Sequence, residues 1–137
     1  MDRKTILIVD DEIDMRMFLT TLVATSGLDA VTARNGEEGL AKAREIHPDV
    51  IILDVMMPKE GGVFMYGELK RDDRLREIPV IILSAISRRT FYHYLKMLSI
   101  RLGDLIPEPD AYMEKPPEAE EIVATLQKLI EPHKEQA

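Results

Sequence analysis

Short apolar runs separated by polar segments with helical periodicity are the feature that most constrains the fold of this chain. Three runs, Thr5–Val9, Val50–Leu53 and residues 80–83, are almost continuously apolar. Such runs, bounded by polar residues, Pro or Gly, are typical of strands that helices cover on both faces, as in a parallel sheet. Residues 30–33 form a fourth run, and residues 111–113 are the best candidate for a short fifth strand. The sequence therefore predicts five parallel strands.

The segments between these strands have the periodicity and the end signals of helices. Helices are predicted over residues 12–26, 37–46, 63–70 and 88–102, and from Pro117 onward. Gly, Asn or Pro adjoins these segments, as expected at helix ends. Strand and helix alternate strictly, and right-handed crossovers then place helices on both faces of an open, doubly wound α/β sheet. Ligands in such folds bind beyond the carboxyl ends of the strands.

Length and composition indicate one ordinary globular domain. The chain has 137 residues, of which 45% are hydrophobic and 31% charged, and its formal net charge is -7. The acidic balance argues against nucleic-acid binding, which requires a clustered basic face. No apolar run is long enough for an export signal or a membrane span, and the absence of cysteine favours a cytoplasmic location. We expect the domain to occupy residues 1–131 and residues 132–137 to form a short tail.

Polar side chains follow the predicted strands at their carboxyl ends. Asp10 and Asp11 follow the first strand, Asp54 the third, Ser84 the fourth and Lys115 the fifth. One aspartate at a strand end is more often a helix cap or a solvated loop residue, but the coincidence of four strand ends favours a site. Three carboxylates at one edge repel each other unless a cation lies among them. Because the candidate ligands are all oxygen atoms, the expected ion is Mg2+ or Mn2+.

The same residues suit phosphoryl transfer. A carboxylate can attack phosphorus and form an acyl phosphate if the metal and a lysine neutralise the charges that meet there. A serine hydroxyl can donate a hydrogen bond to a phosphoryl oxygen, and the ammonium group of Lys115 would act as a point charge beside it.

Four motifs occur in order along nearly the whole chain. They are Ile-Leu-Ile-Val-Asp-Asp-Glu at residues 6–12, Ile-Leu-Asp-Val-Met-Met-Pro-Lys-Glu-Gly-Gly at 52–62, Leu-Ser-Ala at 83–85 and Tyr-Met-Glu-Lys-Pro at 112–116. This joint pattern resembles the receiver domain of response regulators in bacterial two-component systems. The resemblance implies a flavodoxin-like (βα)5 fold, with residues 1–131 as the receiver domain.

The resemblance also implies a role for each site residue. Asp54 would be the phosphoacceptor, and Asp10, Asp11, Asp54 and the backbone carbonyl of Met56 would bind Mg2+. Ser84 and Lys115 would contact the phosphoryl oxygens. In the family, the residue at Ser84 moves toward the phosphoryl group and the aromatic residue at Tyr112 turns inward. A plain surface tyrosine is the less favoured alternative for Tyr112. The family usually has a cis peptide between Lys115 and Pro116.

The chain departs from the family pattern in two places. The segment from Ser84 to Lys115 is longer by about two helical turns, so the region between the fourth helix and the fifth strand is extended. Helix 88–102 is apolar over more than one stripe, which indicates either a partner or homodimer surface formed with the fifth strand and last helix, or a longer core-packed helix. Met56 and Ile86 are apolar where the family controls the access of water, so we expect a long-lived acyl phosphate.

Three functions are compatible with these residues. The first is a phosphoacceptor switch rather than an enzyme that turns over a separate substrate. A histidine kinase or a histidine phosphotransfer protein would phosphorylate this switch. The phosphorylated domain would signal through protein contacts without an output domain. The second is a phosphohydrolase of the haloacid dehalogenase type, but its Asp-x-Asp motif fits residues 10–14 poorly. The third is a degenerate receiver that serves only as a binding scaffold, which is disfavoured because every site position is filled.

Overall fold

The computed structural model describes residues 3–55 and 61–131. Within these ranges five strands and five helices alternate. The strands are β1 (Thr5–Val9), β2 (Asp29–Ala33), β3 (Val50–Leu53), β4 (Val80–Ser84) and β5 (Ala111–Glu114). The helices are α1 (Ile13–Thr25), α2 (Gly36–Ile46), α3 (Gly62–Arg71), α4 (Arg88–Leu102) and α5 (Ala119–Ile130).

All five strands form one parallel sheet in the order β2-β1-β3-β4-β5. Every residue of β3 and β4 is buried, which explains why their sequences are apolar on both faces. The predicted flavodoxin-like, doubly wound α/β fold is therefore confirmed.

Each face of the sheet packs against its own set of helices. Alternate residues of β1 point to opposite faces, as strand geometry requires. Leu7 and Val9 join a core with residues of α2, α3 and α4, whereas Ile6 and Ile8 join a core with residues of α1 and α5. The strict alternation of strand and helix along the chain produces this two-sided arrangement.

Local capping interactions set several helix ends. The side chain of Asn35 accepts a hydrogen bond from the Glu38 backbone nitrogen at 2.8 Å and begins α2. The hydroxyl group of Ser87 accepts one from the Thr90 nitrogen at 3.2 Å and begins α4, which ends at Gly103 with φ +72°. The last helix begins at Ala119, slightly later than its predicted start, because Glu118 is extended at the N-cap.

The extended region between α4 and β5 is tied to the rest of the domain. Ile106 is buried, and the hydroxyl group of Tyr66 in α3 donates a hydrogen bond to the Pro107 carbonyl oxygen at 2.7 Å. A carboxylate oxygen of Asp110 accepts a hydrogen bond from the Val80 nitrogen at 2.9 Å, at the start of β4. The additional residues therefore form an ordered connection with its own contacts to α3 and β4.

None of the described helices is both long enough and apolar enough to cross a membrane.

Candidate functional site

The polar residues predicted from the strand ends meet at one edge of the sheet. Asp10 follows β1, Asp54 follows β3, Ser84 ends β4 and Lys115 follows β5. Asp10, Asp54 and Ser84 are 1%, 3% and 0% exposed, and they are the buried polar residues of the described chain. Burial of two carboxylates is unfavourable unless they are paired or bind a cation, so this edge is chemically unusual.

Lys115 joins the carboxylates of the site. Its Nζ lies 3.0 Å from Oδ2 of Asp10, 3.1 Å from Oδ2 of Asp54 and 2.9 Å from Oε1 of Glu12. Burial by itself would lower the pKa of Lys115, but the hydrogen bonds with Glu12 and Asp10 and the charge of Asp54 outweigh it and raise the pKa above its ordinary value. The lysine is therefore held as an ammonium ion. The peptide bond between Lys115 and Pro116 is cis, as the resemblance implied.

Asp10, Asp11 and Asp54 form an acidic cluster that could bind a metal ion. Each offers one carboxylate oxygen, and these atoms lie within 4.8 Å of one another. Burial raises the pKa of Asp10 and the charge of Asp54 raises it further, whereas hydrogen bonds from the Glu12 nitrogen and Lys115 act in the opposite direction. Three oxygen ligands with one exposed member, Asp11, suit a hard divalent cation such as Mg2+ that keeps several waters. The predicted ligand at Met56 lies outside the described residues.

Ser84 ends β4, and Tyr112 lies on the neighbouring strand β5, where its register partner is Ile82. Ser84 is fully buried, and its Oγ accepts a hydrogen bond from the Ile86 nitrogen at 3.4 Å. The ring of Tyr112 points inward and is 7% exposed, and its hydroxyl group donates to the carbonyl oxygens of Ile86 at 2.6 Å and Ser87 at 3.3 Å. Burial, with a smaller contribution from Glu114, raises the pKa of Tyr112 to about 12. Tyr112 is therefore a packed, hydrogen-bonded residue in this structure, and the plain surface reading is wrong.

Three residues that the sequence analysis did not assign also shape the site. Glu12 binds Lys115, and Nη1 of Arg16 donates to the Asp10 carbonyl oxygen at 2.7 Å. A Cβ atom at Gly62 would overlap the backbone of Asp54. The glycine was visible in the sequence, but its close approach to the Asp54 backbone depends on how α3 packs and has no local signal.

This chain is similar to a known protein family over most of its length. A family model described as the response regulator receiver domain matches residues 6–127. The chain is 35% identical over 129 residues to the probable transcriptional regulator ycf27 of Cyanophora paradoxa, covering 94% of this chain and 49% of that protein. It is 32% identical to the polar-differentiation response regulator DivK of Brucella anthropi, covering 95% of this chain and 98% of DivK. The chain thus spans about half the length of the ycf27 proteins and nearly all of DivK.

Solved structures agree with these matches. The chemotaxis response regulator CheY4 of Vibrio cholerae superimposes with a TM-score of 0.78 at 26% identity, covering 93% of this chain and 99% of CheY4. The signal receiver domain of a signal transduction histidine kinase from Syntrophus aciditrophicus superimposes with a TM-score of 0.77 at 28% identity, covering 93% of this chain and 89% of that one. This chain therefore belongs to the response regulator receiver domain family.

Proposed function

We propose that this receiver domain is a phosphoacceptor switch in which Asp54 takes a phosphoryl group in a Mg2+-dependent reaction. The observation that carries the proposal is the lysine bridge: Nζ of Lys115 lies within 3.1 Å of carboxylate oxygens of both Asp10 and Asp54 at the carboxyl edge of the sheet. An ammonium ion at this position can neutralise one charge of an incoming phosphoryl group while Asp54 remains an anion and a nucleophile.

Asp10, Asp11 and Asp54 would hold the metal, and the Met56 carbonyl oxygen is a further proposed ligand outside the described residues. A bound divalent cation supplies charge neutralisation at the acceptor carboxylate and the phosphoryl oxygens. The carboxylate spacing and the exposed position of Asp11 support this assignment.

The proposed reaction transfers a phosphoryl group from a phosphohistidine to Asp54. A carboxylate oxygen of Asp54 attacks phosphorus, and the new O–P bond forms as the P–N bond to the donor imidazole breaks. The leaving nitrogen keeps the electron pair and takes up a proton. Lys115 would then bind one phosphoryl oxygen, and the Ser84 hydroxyl would donate a hydrogen bond to another. Movement of Ser84 would change the environment of Tyr112: burial raises the pKa of the phenol, and a side-chain hydrogen bond with Ser84 acts in the opposite direction.

The proposed donor is a histidine kinase or a histidine phosphotransfer protein, which makes the cytoplasm the proposed site of action. Beside the acidic cluster, α1 exposes Ile13, Met17 and Phe18 by 62%, 62% and 40%. Exposed apolar side chains next to a reactive group suit a docking protein that delivers the phosphoryl group.

The proposal also covers the organisation of the chain. Residues 1–131 would form the switch domain, and residues 132–137, which lie outside the described residues, would form a tail. Two copies of the domain would form a homodimer through the face of α4, β5 and α5.

Intact mass spectrometry after incubation with acetyl phosphate tests the proposal. We expect one phosphoryl adduct that requires Mg2+, disappears with a chelator, and is released by hydroxylamine, as an acyl phosphate is. The adduct should be absent in Asp54→Ala and retained in the matched control Asp73→Ala, which changes an aspartate side chain that is 88% exposed.

Two other results would redirect the assignment. The absence of an adduct under all conditions would favour a receiver that serves only as a scaffold. Continuous turnover of a small phosphomonoester would favour the phosphohydrolase alternative.

A further inference from the structure

The outward side of α4 has a charge that contrasts with the rest of the chain. The helix carries Arg88, Arg89, Lys96 and Arg101 and contains no aspartate or glutamate, whereas the whole chain has a net charge of -7. Within the described parts of the chain, no carboxylate forms an ion pair with Arg89, Lys96 or Arg101. Arg88 donates a hydrogen bond to the Tyr112 carbonyl oxygen at 3.3 Å, so the basic surface without an ion-pair partner consists of Arg89, Lys96 and Arg101.

Arginines elsewhere in the domain provide the contrast. Four of them form ion pairs with neighbouring acidic side chains: Arg3 with Asp29, Arg44 with Asp72, Arg71 with Glu68 and Asp104, and Arg76 with Asp73. Arg34 and Arg74 also form no ion pair within the described residues, so unpaired cations are not confined to α4. What distinguishes α4 is that it contains no acidic residue, whereas each of the other four described helices contains at least one, and an acidic partner would complement it.

Apolar side chains are exposed among the same cations. Tyr94, Met97 and Ile100 are 46%, 52% and 70% exposed, and Phe64 on the neighbouring helix α3 is 47% exposed. Neighbouring exposed apolar side chains rimmed by charged ones mark interaction surfaces more often than solvated faces do. A nucleic-acid backbone would use the cations but leave these apolar side chains in water.

A groove runs between α3 and α4 at this surface. The two helices approach closely where the Leu98 side chain packs against Gly67. The absence of a side chain at Gly67 permits this contact, since a Cβ atom at Gly67 would lie only 2.8 Å from Cδ2 of Leu98. Beside this contact lies a cavity of about 400 Å3, lined by Val63, His93, Tyr94, Met97, Leu98 and Arg101. Tyr94, Met97 and Arg101 follow one another along α4 at spacings of three and four residues, which is the periodicity of one helix face.

We propose that the groove between α3 and α4 binds an acidic amphipathic helix of a partner protein. Apolar residues of that helix would pack against Val63, Tyr94 and Met97, and a flanking carboxylate would pair with Arg101, which lines the groove. A flat membrane surface would not enter a groove between two helices, whereas the apolar side of a partner helix fits one. The groove lies on the α3 side of α4, away from β5, and the interaction goes beyond the phosphoacceptor chemistry because it does not require a phosphoryl group on Asp54.

Display libraries of helical peptides test this assignment with the full chain as the target. One library has fixed apolar positions at i, i+3 and i+7 flanked by Glu and Asp, and the second has Lys and Arg at the same flanking positions. We expect enrichment of the acidic library alone. Fluorescence anisotropy with a selected acidic peptide should show binding that weakens at least about tenfold in Met97→Glu and in Arg101→Glu, because each change removes a contact and adds repulsion.

Two matched controls separate the groove from general effects of charge. Leu105→Glu makes a comparable change at a leucine that is 91% exposed between α4 and β5, and Arg74→Glu repeats the charge reversal at an exposed arginine after α3. Both should bind the peptide within about twofold of the wild type, since neither residue lines the groove. Urea midpoints confirm that all four variants are folded, and the two groove variants are independent of each other.

Several outcomes would overturn the proposal. The proposal would be wrong if neither peptide library were enriched, or if the basic library were enriched as strongly as the acidic one. It would also be wrong if the control variants weakened peptide binding as much as the groove variants do. A dimer in sedimentation equilibrium that Met97→Glu dissociates would make a second copy of this chain the occupant. Binding to vesicles with about 30 mol% phosphatidylserine that Arg101→Glu abolishes would make the occupant a membrane.

Discussion

Replacement of Lys115 with Met removes the one cation that the described structure shows between Asp10 and Asp54. The lysine side chain is 13% exposed, and those of Asp10 and Asp54 are 2% and 4% exposed. Methionine keeps much of the apolar stem but leaves two buried carboxylates facing each other. We therefore expect Lys115→Met to destabilise the domain when no divalent cation is present.

The expected loss follows from the burial of the partners. Removal of one member of a buried ion pair costs about 3–5 kcal/mol, because the remaining charge is left uncompensated in a medium of low polarity. The contact of Lys115 with Glu12 adds little, since the Glu12 side chain is 61% exposed and solvent screens the pair. The free energy of unfolding should therefore fall by about 3–5 kcal/mol near neutral pH.

The pH dependence of this loss has a definite sign. The pKa of Asp10 is raised by burial and held back by Lys115, so loss of the lysine raises the pKa of Asp10 further. A carboxyl group with a raised pKa in the folded state contributes stability that is present below its unfolded pKa of about 3.9 and is lost as pH rises through the folded value. The raised pKa of Lys115 makes its own contribution constant across this range in the wild type. The deficit of Lys115→Met should therefore be smaller at about pH 5 than at about pH 7.5.

Urea unfolding followed by circular dichroism in the presence of EDTA measures both quantities. Lys96→Met is the matched control, because Lys96 is exposed, and it should change stability by less than about 0.5 kcal/mol. A deficit below about 1 kcal/mol for Lys115→Met, or a deficit equal at both pH values, would refute the reasoning from buried charge.

Three further predictions follow from other contacts. Gly62→Ala should lower the free energy of unfolding by about 3 kcal/mol or more, because the added Cβ atom would overlap the Asp54 backbone. Gly103→Ala should lower it by only about 1–2 kcal/mol, because Gly103 has φ +72° but no neighbouring atom within 4 Å of the added Cβ. Equal losses for the two variants in urea unfolding would contradict this prediction. Tyr112→Phe should lower the free energy of unfolding by about 1–2 kcal/mol, because the hydrogen bonds to two carbonyl oxygens are lost. In the wild type, burial raises the pKa of the Tyr112 phenol to about 12, so ultraviolet titration should show it ionising above the range of a free tyrosine. The acyl phosphate on Asp54 should persist for minutes or longer because Ile86 offers no side-chain polar group to orient water; loss within seconds by intact mass would contradict it.

The strand runs and their polar ends predicted much of the fold and the site. Val50–Leu53 is apolar at every position because the strand is buried on both faces, and this requirement is written directly in the sequence. Once the sheet is parallel, Asp10, Asp54 and Ser84 must share one edge, since each follows or ends a strand. The cluster was therefore predictable without coordinates.

Contacts between distant segments were decided only by tertiary packing. Glu12 and Lys115 are 103 residues apart in sequence and meet because β1 and β5 deliver both to the same edge. The inward position of Tyr112 depends on Phe91, whose ring centroid lies 5.2 Å away, and the groove beside α4 depends on the close approach of Leu98 to Gly67. The sequence by itself determined which strand residues are buried and which polar residues follow the strands, because periodicity and polarity are local properties. Which side chains touch was decided by the packing of helices on the sheet, since those distances depend on the whole chain.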